Sequence, residues 1–381
     1  MATTNGGNVI NTLALTKQLI SIPSWVGPGC DEIKIGKFIY DWLRTNTTLT
    51  VIKQPVKDGR FNVIATDGSP ARIILAGHID TVEPRAGWLT DPFTPTITNN
   101  RLYGLGATDM KGSLASMLTA VSEVKNTQGL MILCYIDEEY DFAGMRKFIQ
   151  DYRGKIKPEL IVSLDGSADQ IGIGCRGLIE LSFKIRGVSG HAGRPSAGKN
   201  AIQIGNQIIN LLTLSLSKVI DPILGSSTCN LAYIQGGLDL GGGNLGRQGN
   251  NIADLAEFVL DIRTSKSKVN ADSIIKQISG LAERFGVQLE DIQVRHNLGS
   301  WVTNPKDLIE LNLTAKFEPS LGYIDTQMLW EAFGKVPCCT IGAGNLALAH
   351  TPNEYVELAE LNRTQKLVER IINQSVTGET I

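Results

Sequence analysis

The sequence lacks the features that mark several classes of protein. Its 381 residues contain no apolar run that approaches the roughly 20 residues needed to cross a bilayer. Lysine and arginine (36) are balanced by aspartate and glutamate (38), and the net charge of −2 excludes the basic footprint of a nucleic-acid-binding protein. The first residues lack the basic and apolar segments of a signal peptide, so we expect a cytoplasmic protein.

Cysteine is also sparse, and its spacing excludes two kinds of site. The six cysteines form no C-x-x-C pair. Their spacing therefore argues against a disulfide framework and against a thiolate zinc site. We therefore expect reduced thiols, most of them buried.

The length predicts about two domains, because a single core rarely grows this large. Helices predicted at about 9–21, 30–44 and 113–124 alternate with strands at 49–54, 61–65, 72–77, 130–136 and 159–164. This alternation favours an α/β layer architecture with a mixed sheet. A strand at 336–341 and a helix at 358–374 close the chain.

From Gly177 the pattern changes to a period of two, typical of an antiparallel sheet with one exposed face. The order strand, helix, strand, strand, helix, strand then predicts a small α+β, ferredoxin-like domain inserted into the first. We place the inserted domain at 177–298 and the α/β domain at 1–176 and 299–381.

Histidine occurs only four times. Three histidines lie in glycine-rich or turn-rich segments, namely His78, His191 and His350, whereas His296 has no such context and is interpreted as structural. His78 ends the apolar run that starts at Ile73, and Asp80 follows two residues later, on the same face of an extended chain. This pair suits either a metal ligand with its orienting carboxylate or a buried histidine bonded to a turn aspartate.

Carboxylates gather where strands and loops end: Asp80, Asp109, Glu138, Glu139 and Asp165. Each alone is more often a cap or a solvated turn residue. Together with two histidines they make up the ligands of a two-zinc site, which uses imidazole and carboxylate donors and a water-derived nucleophile. In an extended segment, Glu138 and Glu139 would point to opposite sides, one toward metal and the other toward a proton.

At this point the chain resembles a known family, the zinc aminoacylases and exopeptidases that include acetylornithine deacetylase, succinyl-diaminopimelate desuccinylase and the glutamate carboxypeptidases. The similar stretches occur in family order over nearly the whole chain: Gly77-His-Ile-Asp-Thr-Val82, Tyr103-Gly-Leu-Gly-Ala-Thr-Asp-Met-Lys-Gly112, Asp137-Glu-Glu139, Gly187-Val-Ser-Gly-His-Ala-Gly193 and Ala349-His-Thr-Pro-Asn-Glu354. The last stretch is especially similar to the acetylornithine deacetylase branch.

The resemblance implies a role for each matching residue of the metal centre. His78 and Asp165 would bind one zinc, Glu139 and His350 the other, and Asp109 would bridge both. Cobalt or manganese could replace zinc. Glu138 would be the general base for the zinc-bound water that attacks the acyl carbonyl, and Asp80 would orient His78.

The resemblance also assigns the inserted domain a role as lid and dimerisation domain. His191 would stabilise the oxyanion, and in family dimers this histidine reaches the partner subunit's site. Asn250 and Arg263 match positions that hold the substrate, although Arg263 also suits a surface ion pair on a strand. The implied partners are a second copy of the chain and a small N-acyl amino acid or dipeptide.

Asp165 departs from the deacetylase pattern. The deacetylase and desuccinylase branches usually carry glutamate there, whereas aspartate resembles the family's dipeptidases and aminopeptidases. We therefore expect a zinc-dependent amidohydrolase acting on an N-acyl amino acid, with a dipeptidase or carboxypeptidase as the alternative. A catalytically silent amino-acid-binding protein is the third reading.

Overall fold

The computed structural model describes residues 11–310, 316–320 and 322–377. Positions 9 and 10 of the first predicted helix lie outside this range. The described residues divide into two compact units: the first lies within 1–173, 303–318 and 328–381, and the second within 174–302 and 319–327.

The elements up to the second unit follow the predicted alternation. In chain order they are α1 (Thr12–Ile20), α2 (Ile33–Asn46), β1 (Thr50–Lys57), β2 (Arg60–Thr66), β3 (Ile73–His78), β4 (Thr96–Thr98), β5 (Arg101–Tyr103), α3 (Lys111–Glu123), β6 (Leu130–Tyr135), α4 (Ala143–Tyr152), β7 (Leu160–Ser163) and β8 (Gln170–Cys175).

The remaining elements complete both units. They are β9 (Gly177–Arg186), α5 (Ala201–Ser217), β10 (Ile220–Asp221), β11 (Gly225–Ser226), β12 (Thr228–Asp239), β13 (Leu245–Gly246), β14 (Leu255–Thr264), α6 (Ala271–Phe285), β15 (Gln288–Leu298), β16 (Trp301–Val302), α7 (Pro305–Glu310), β17 (Lys316–Ser320), α8 (Thr326–Ala332), β18 (Cys338–Thr340), β19 (Tyr355–Glu357) and α9 (Leu358–Thr377). Short 3₁₀ turns cover Pro195–Ala197 and Leu346–Leu348.

The first unit is built on a mixed sheet. Its strands follow the order β1-β2-β6-β3-β7-β18-β8, with parallel pairs from β6 to β18 and antiparallel pairs at both ends. Every residue of β3, β6 and β7 is buried, which explains why these strands are continuous apolar runs rather than alternating ones. Since β3, β6 and β7 are parallel, their carboxyl ends lie at one edge of the sheet.

Helix α3 fixes the end of the glycine-containing loop that precedes it. Its residues from Lys111 to Val121 are all buried, and the helix packs against α1 and α9. Alanine, leucine and methionine favour this helix and allow close packing on all sides. The loop that precedes Lys111 therefore leads directly into a buried helix.

The second unit is an antiparallel sheet in the order β13-β12-β14-β9-β15. In β9 and β14, buried residues alternate with half-buried ones, as the period of two predicts. Phe183 and Phe258 stack at 5.5 Å between ring centroids, in a core shared with α5 and α6. An Asn270–Ser273 capping box starts α6.

These two architectures confirm the predicted fold class, a mixed-sheet α/β domain with an inserted α+β domain. Within the described residues, no helix combines the length and the apolar character that a membrane span requires.

Candidate metal centre

The candidate site lies at the carboxyl edge of the mixed sheet. His78 is the last residue of β3, the segment Asp137–Glu139 follows β6, and Asp165 follows β7. Asp109 lies just before α3, and His350 lies in the loop after β18. Parallel strands converge at this edge, and open α/β sheets commonly place their ligands there.

Five of these residues form two groups with one member in common. In the first, ligand atoms of His78, Asp109 and Asp165 lie within 4.8 Å of one another, and the second unites Asp109, Glu139 and His350 in the same way. The Oδ1 atom of Asp109 is 3.0 Å from Nε2 of His78, and its Oδ2 atom is 3.5 Å from Nε2 of His350. Each oxygen of Asp109 therefore faces a different group.

The His78 ring is oriented by Asp80. Its Nδ1 atom lies 3.1 Å from the backbone oxygen of Asp80 and 3.5 Å from the Asp80 carboxylate. A carbonyl oxygen can only accept, so Nδ1 donates to it and carries a proton. The Asp80 carboxylate also accepts the backbone N–H of Glu139 at 3.0 Å, so one buried residue positions a member of each group.

Crowded carboxylates raise the proton affinity of both imidazoles. Hydrogen bonds to Asp109 and then Glu139 raise the pKa of His350 to about 10. Burial opposes the charged form of His78, but its hydrogen bonds to Asp109 and Asp80 outweigh burial and raise its pKa well above 6.5. Burial, followed by the charge of Asp109, raises the pKa of Glu139. The site therefore has an excess of negative charge, which a cation can satisfy as well as a proton.

One argument made from the sequence is wrong in its geometry. Glu138 and Glu139 do not lie in an extended segment, because residues 138–140 form a turn. Glu139 nevertheless joins the second group, with its Oε1 atom 3.0 Å from Nε2 of His350. Glu138 is half-buried beside it and belongs to neither group.

A buried ion network holds this turn, and the sequence did not reveal it. Arg60 donates to Glu32 at 3.1 Å and to Asp137 at 3.0 Å, and all three side chains are buried. Asp137 also accepts the backbone N–H of Ala143 at the start of α4. The residue before Glu138 is thus anchored on two sides.

The sequence analysis also gave no role to Glu354. Its carboxylate accepts the backbone N–H groups of Gly106, Thr108 and Asp109, and its exposed fraction is 1%. Burial, followed by the charge of Asp109, raises the pKa of Glu354 to about 8. The sequence feature that could have indicated Glu354 is its position, four residues after His350 in a turn-rich loop.

The remaining sequence-predicted residues belong to the second unit, where His191 and Asn250 lie close together. The backbone oxygen of Asn250 accepts from Ala192 N–H at 2.8 Å, and both His191 and Asn250 are exposed. Nδ1 of His191 accepts the Gly193 N–H at 3.0 Å, which leaves Nε2 as the donor of the neutral ring.

Arg263 has a partner of its own in the second unit. It forms a two-point ion pair with Asp261, its neighbour on the same face of β14. This is the surface pair that the sequence left open as an alternative to substrate binding.

Comparison with known proteins places the whole chain among metallohydrolases. The sequence profile of peptidase family M20/M25/M40 matches residues 74–374. An acetylornithine deacetylase of Proteus mirabilis is 28% identical over 392 residues, covering 96% of this chain and 97% of the relative. The match therefore spans both units.

Solved structures show the same fold. A metallo-carboxypeptidase of family M20 from Sulfolobus solfataricus superimposes with a TM-score of 0.77 at 17% identity, covering 96% of this chain and 99% of that one. A dinuclear metal-binding peptidase of family M20 from Bacillus subtilis gives a TM-score of 0.67 at 17% identity, covering 95% and 97%. At these levels of identity, both structures are evidence for the fold of this chain.

Proposed function

The chain belongs to peptidase family M20/M25/M40 and is a metal-dependent hydrolase, and from this premise we propose that it cleaves the amide bond of an N-acyl amino acid at a two-metal site. The observation that carries the proposal is the pair of ligand groups that share Asp109. The full-length similarity to an acetylornithine deacetylase supports an acetylornithine-like substrate.

The donor atoms suit divalent cations. Around tetrahedral zinc, with bonds of about 2.0–2.1 Å, ligand atoms lie about 3.3 Å apart. The three contacts of the site measure 3.0, 3.0 and 3.5 Å. Imidazole mixed with carboxylate suits zinc, and cobalt or manganese can take the same donors. In this proposal His78 and Asp165 would hold one ion, Glu139 and His350 would hold the other, and Asp109 would be a ligand of both.

The bound ions would lower the pKa of a water molecule and polarise the amide carbonyl. Glu138 then takes the proton from the attacking water and passes it to the leaving amine, as a general base and acid. Its half-buried place beside Glu139 supports this role. Asp80 keeps the proton on Nδ1 of His78, so that Nε2 stays available as a ligand.

The second unit supplies the remaining groups in this proposal and serves as lid and dimerisation domain. His191 donates from Nε2 to the developing oxyanion, a role supported by the Gly193 N–H on its other nitrogen. Asn250 holds the substrate carbonyl. Arg263 exchanges its two-point pair with Asp261 for the substrate carboxylate, which has the same geometry.

Cleavage of dipeptides is the second candidate function. Asp165 favours it, because aspartate is one methylene shorter than the glutamate of the deacetylase branch and alters the space beside the first group. The fold shared with a metallo-carboxypeptidase is compatible with this alternative. A catalytically silent amino-acid-binding protein is disfavoured, because Glu138 and all five ligand residues are present.

The proposal is tested by assaying N-acetylornithine, succinyl-diaminopimelate, acetylmethionine and a set of dipeptides on protein of measured metal content. We expect deacylation that is lost when a chelator removes the metal and restored by zinc. Dipeptide cleavage alone would select the second candidate. Two bound ions without turnover of any substrate would contradict both hydrolytic assignments.

A further inference from the structure

Glu354 is a buried carboxylate whose hydrogen-bond partners are backbone groups. Its Oε1 atom accepts Thr108 N–H at 2.7 Å and Asp109 N–H at 2.9 Å, and its Oε2 atom accepts Gly106 N–H at 3.1 Å. Desolvating a carboxylate is unfavourable unless donors replace the water. Here three main-chain donors of one loop do so.

Further hydrogen bonds join the segment around Glu354 to the Asp109 loop, which comprises residues 104–110. Gly104 N–H donates to the backbone oxygen of Glu354 at 3.1 Å, and the Thr108 hydroxyl donates to the backbone oxygen of Tyr355 at 2.7 Å. Strands β19 and β5 continue this pairing at Tyr355 and Tyr103. His350 lies four residues before Glu354, so the contacts join the segment that carries one ligand to the loop that carries the shared one.

Asp109 needs this support more than the other ligands do. It is the only residue common to both groups, and its two oxygens must face two imidazoles at once. A small rotation of its backbone would move both oxygens away from their partners. The N–H of Asp109 itself is fixed by Glu354, which restrains that rotation.

We propose that Glu354 is a positioning residue that sets Asp109 between the two metal ions. It acts through the backbone of the Asp109 loop, since a side chain with an exposed fraction of 1% is shielded from substrate. The inference rests on the proposed two-metal function and deepens it: the affinity of both ions, rather than of one, depends on Glu354.

The packing around Gly106 restricts the conformation of the loop that contains Asp109. Gly106 has a φ of +82°, and a Cβ there would lie 2.9 Å from Lys111 Cδ and 3.0 Å from Thr81 Cγ2. The loop therefore passes close to buried side chains in a conformation that favours glycine. Three of its N–H groups donate to Glu354, and a carboxylate can accept from all three because each of its oxygens has two lone pairs.

The test is Glu354→Gln, which keeps the size of the side chain but replaces one acceptor oxygen by an NH₂ group. That NH₂ group would face an N–H donor of the Asp109 loop and could not accept a hydrogen bond from it. We expect the affinity for zinc, measured by competition with a chromogenic chelator, to fall at both ions by about 10–100-fold, the usual effect of losing an outer partner of a metal ligand. At saturating zinc, kcat should fall while KM stays within about twofold.

Glu360→Gln is the matched control. Glu360 also accepts two backbone N–H groups, those of Gly344 and Glu357, but neither donor adjoins a ligand residue. We expect this variant to bind zinc as the wild type does. Circular dichroism and thermal unfolding of the metal-free proteins report whether either variant has lost its fold.

The outcomes separate the two proposals. A wild type that binds no divalent ion would overturn the proposed function. A wild type with two ions and a folded Glu354→Gln variant of unchanged zinc affinity and kcat would overturn the positioning role alone. Loss of affinity at one ion only would also contradict it, because Asp109 faces both groups. The cobalt-substituted proteins supply an independent readout, since a displaced Asp109 changes the visible absorption of both ions.

Discussion

Glu138→Gln is the sharpest test of the catalytic assignment. Glu138 belongs to neither ligand group, so its replacement leaves all five ligands in place. The turn keeps its shape because Asp137 is bonded to Arg60 at 3.0 Å and the Glu139 N–H is bonded to Asp80 at 3.0 Å. We therefore expect two bound ions and an unchanged fold, together with a large loss of rate.

The size of the loss follows from the chemistry that is removed. Glutamine cannot accept the proton of the attacking water, and a positioned general base contributes about 10²–10⁴-fold to the rate. This range corresponds to about 2.7–5.4 kcal/mol of transition-state stabilisation. The loss should appear in kcat rather than KM, because the proton moves only in the transition state.

Glu139→Gln is the matched control, the same change one residue further along. Glu139 lies 3.0 Å from His350 and is one of three members of its group, so this variant should lose affinity for one ion. Steady-state kinetics on the better substrate, with metal counted by atomic emission, separates the two variants. Near-wild-type kcat in Glu138→Gln, or loss of metal in it, would refute the assignment of Glu138.

Three further changes test other parts of the molecule. His191→Ala should lower kcat by about 10²–10³-fold, as expected for an oxyanion donor, with metal content unchanged; unaltered kcat would remove His191 from the reaction. Arg263→Met should raise KM far more than it lowers kcat if the guanidinium binds the substrate carboxylate, and an unchanged KM would leave Arg263 as the structural partner of Asp261. Burial, followed by the charge of Asp80, raises the pKa of Glu32 from 4.5 to about 7. Between pH 4.5 and pH 7 the folded protein therefore holds a proton that the unfolded chain has released. The free energy of unfolding falls as the pH rises through this range. Glu32→Gln removes this term, and its Tm relative to wild type should improve from pH 5 to pH 8, whereas a constant difference would contradict the raised pKa.

Much of the fold could be predicted because burial leaves a pattern in the sequence. The run from Ile73 to His78 is apolar throughout because β3 is buried on both faces. The alternation from Leu178 to Arg186 has a period of two because only one face of β9 is covered. The spacing of apolar residues along a strand is local information, and a single sequence contains it.

The turn at Glu138 and Glu139 was not predictable in the same way. Its shape depends on Asp137, which has a φ of +68° and bonds to Arg60, a residue 77 positions earlier. The sequence around the two glutamates contains neither glycine nor proline to indicate a turn. Tertiary contacts set this conformation, so local propensity could not reveal it.

The candidate ligands differ from the residues bonded to their loops in how the fold brings them together. His78 ends β3, and Glu139 and Asp165 follow the neighbouring parallel strands β6 and β7. A general rule about strand ends is therefore enough to predict that the three residues meet. Glu354 and Arg60 reach the same region through hydrogen bonds to residues far away in the sequence. An acidic or basic residue read alone resembles a solvated surface position. Only the three-dimensional arrangement distinguishes such a residue from one that is bonded to the loops of the candidate ligands. Candidate ligands at strand ends can therefore be predicted from sequence before the residues bonded to their loops.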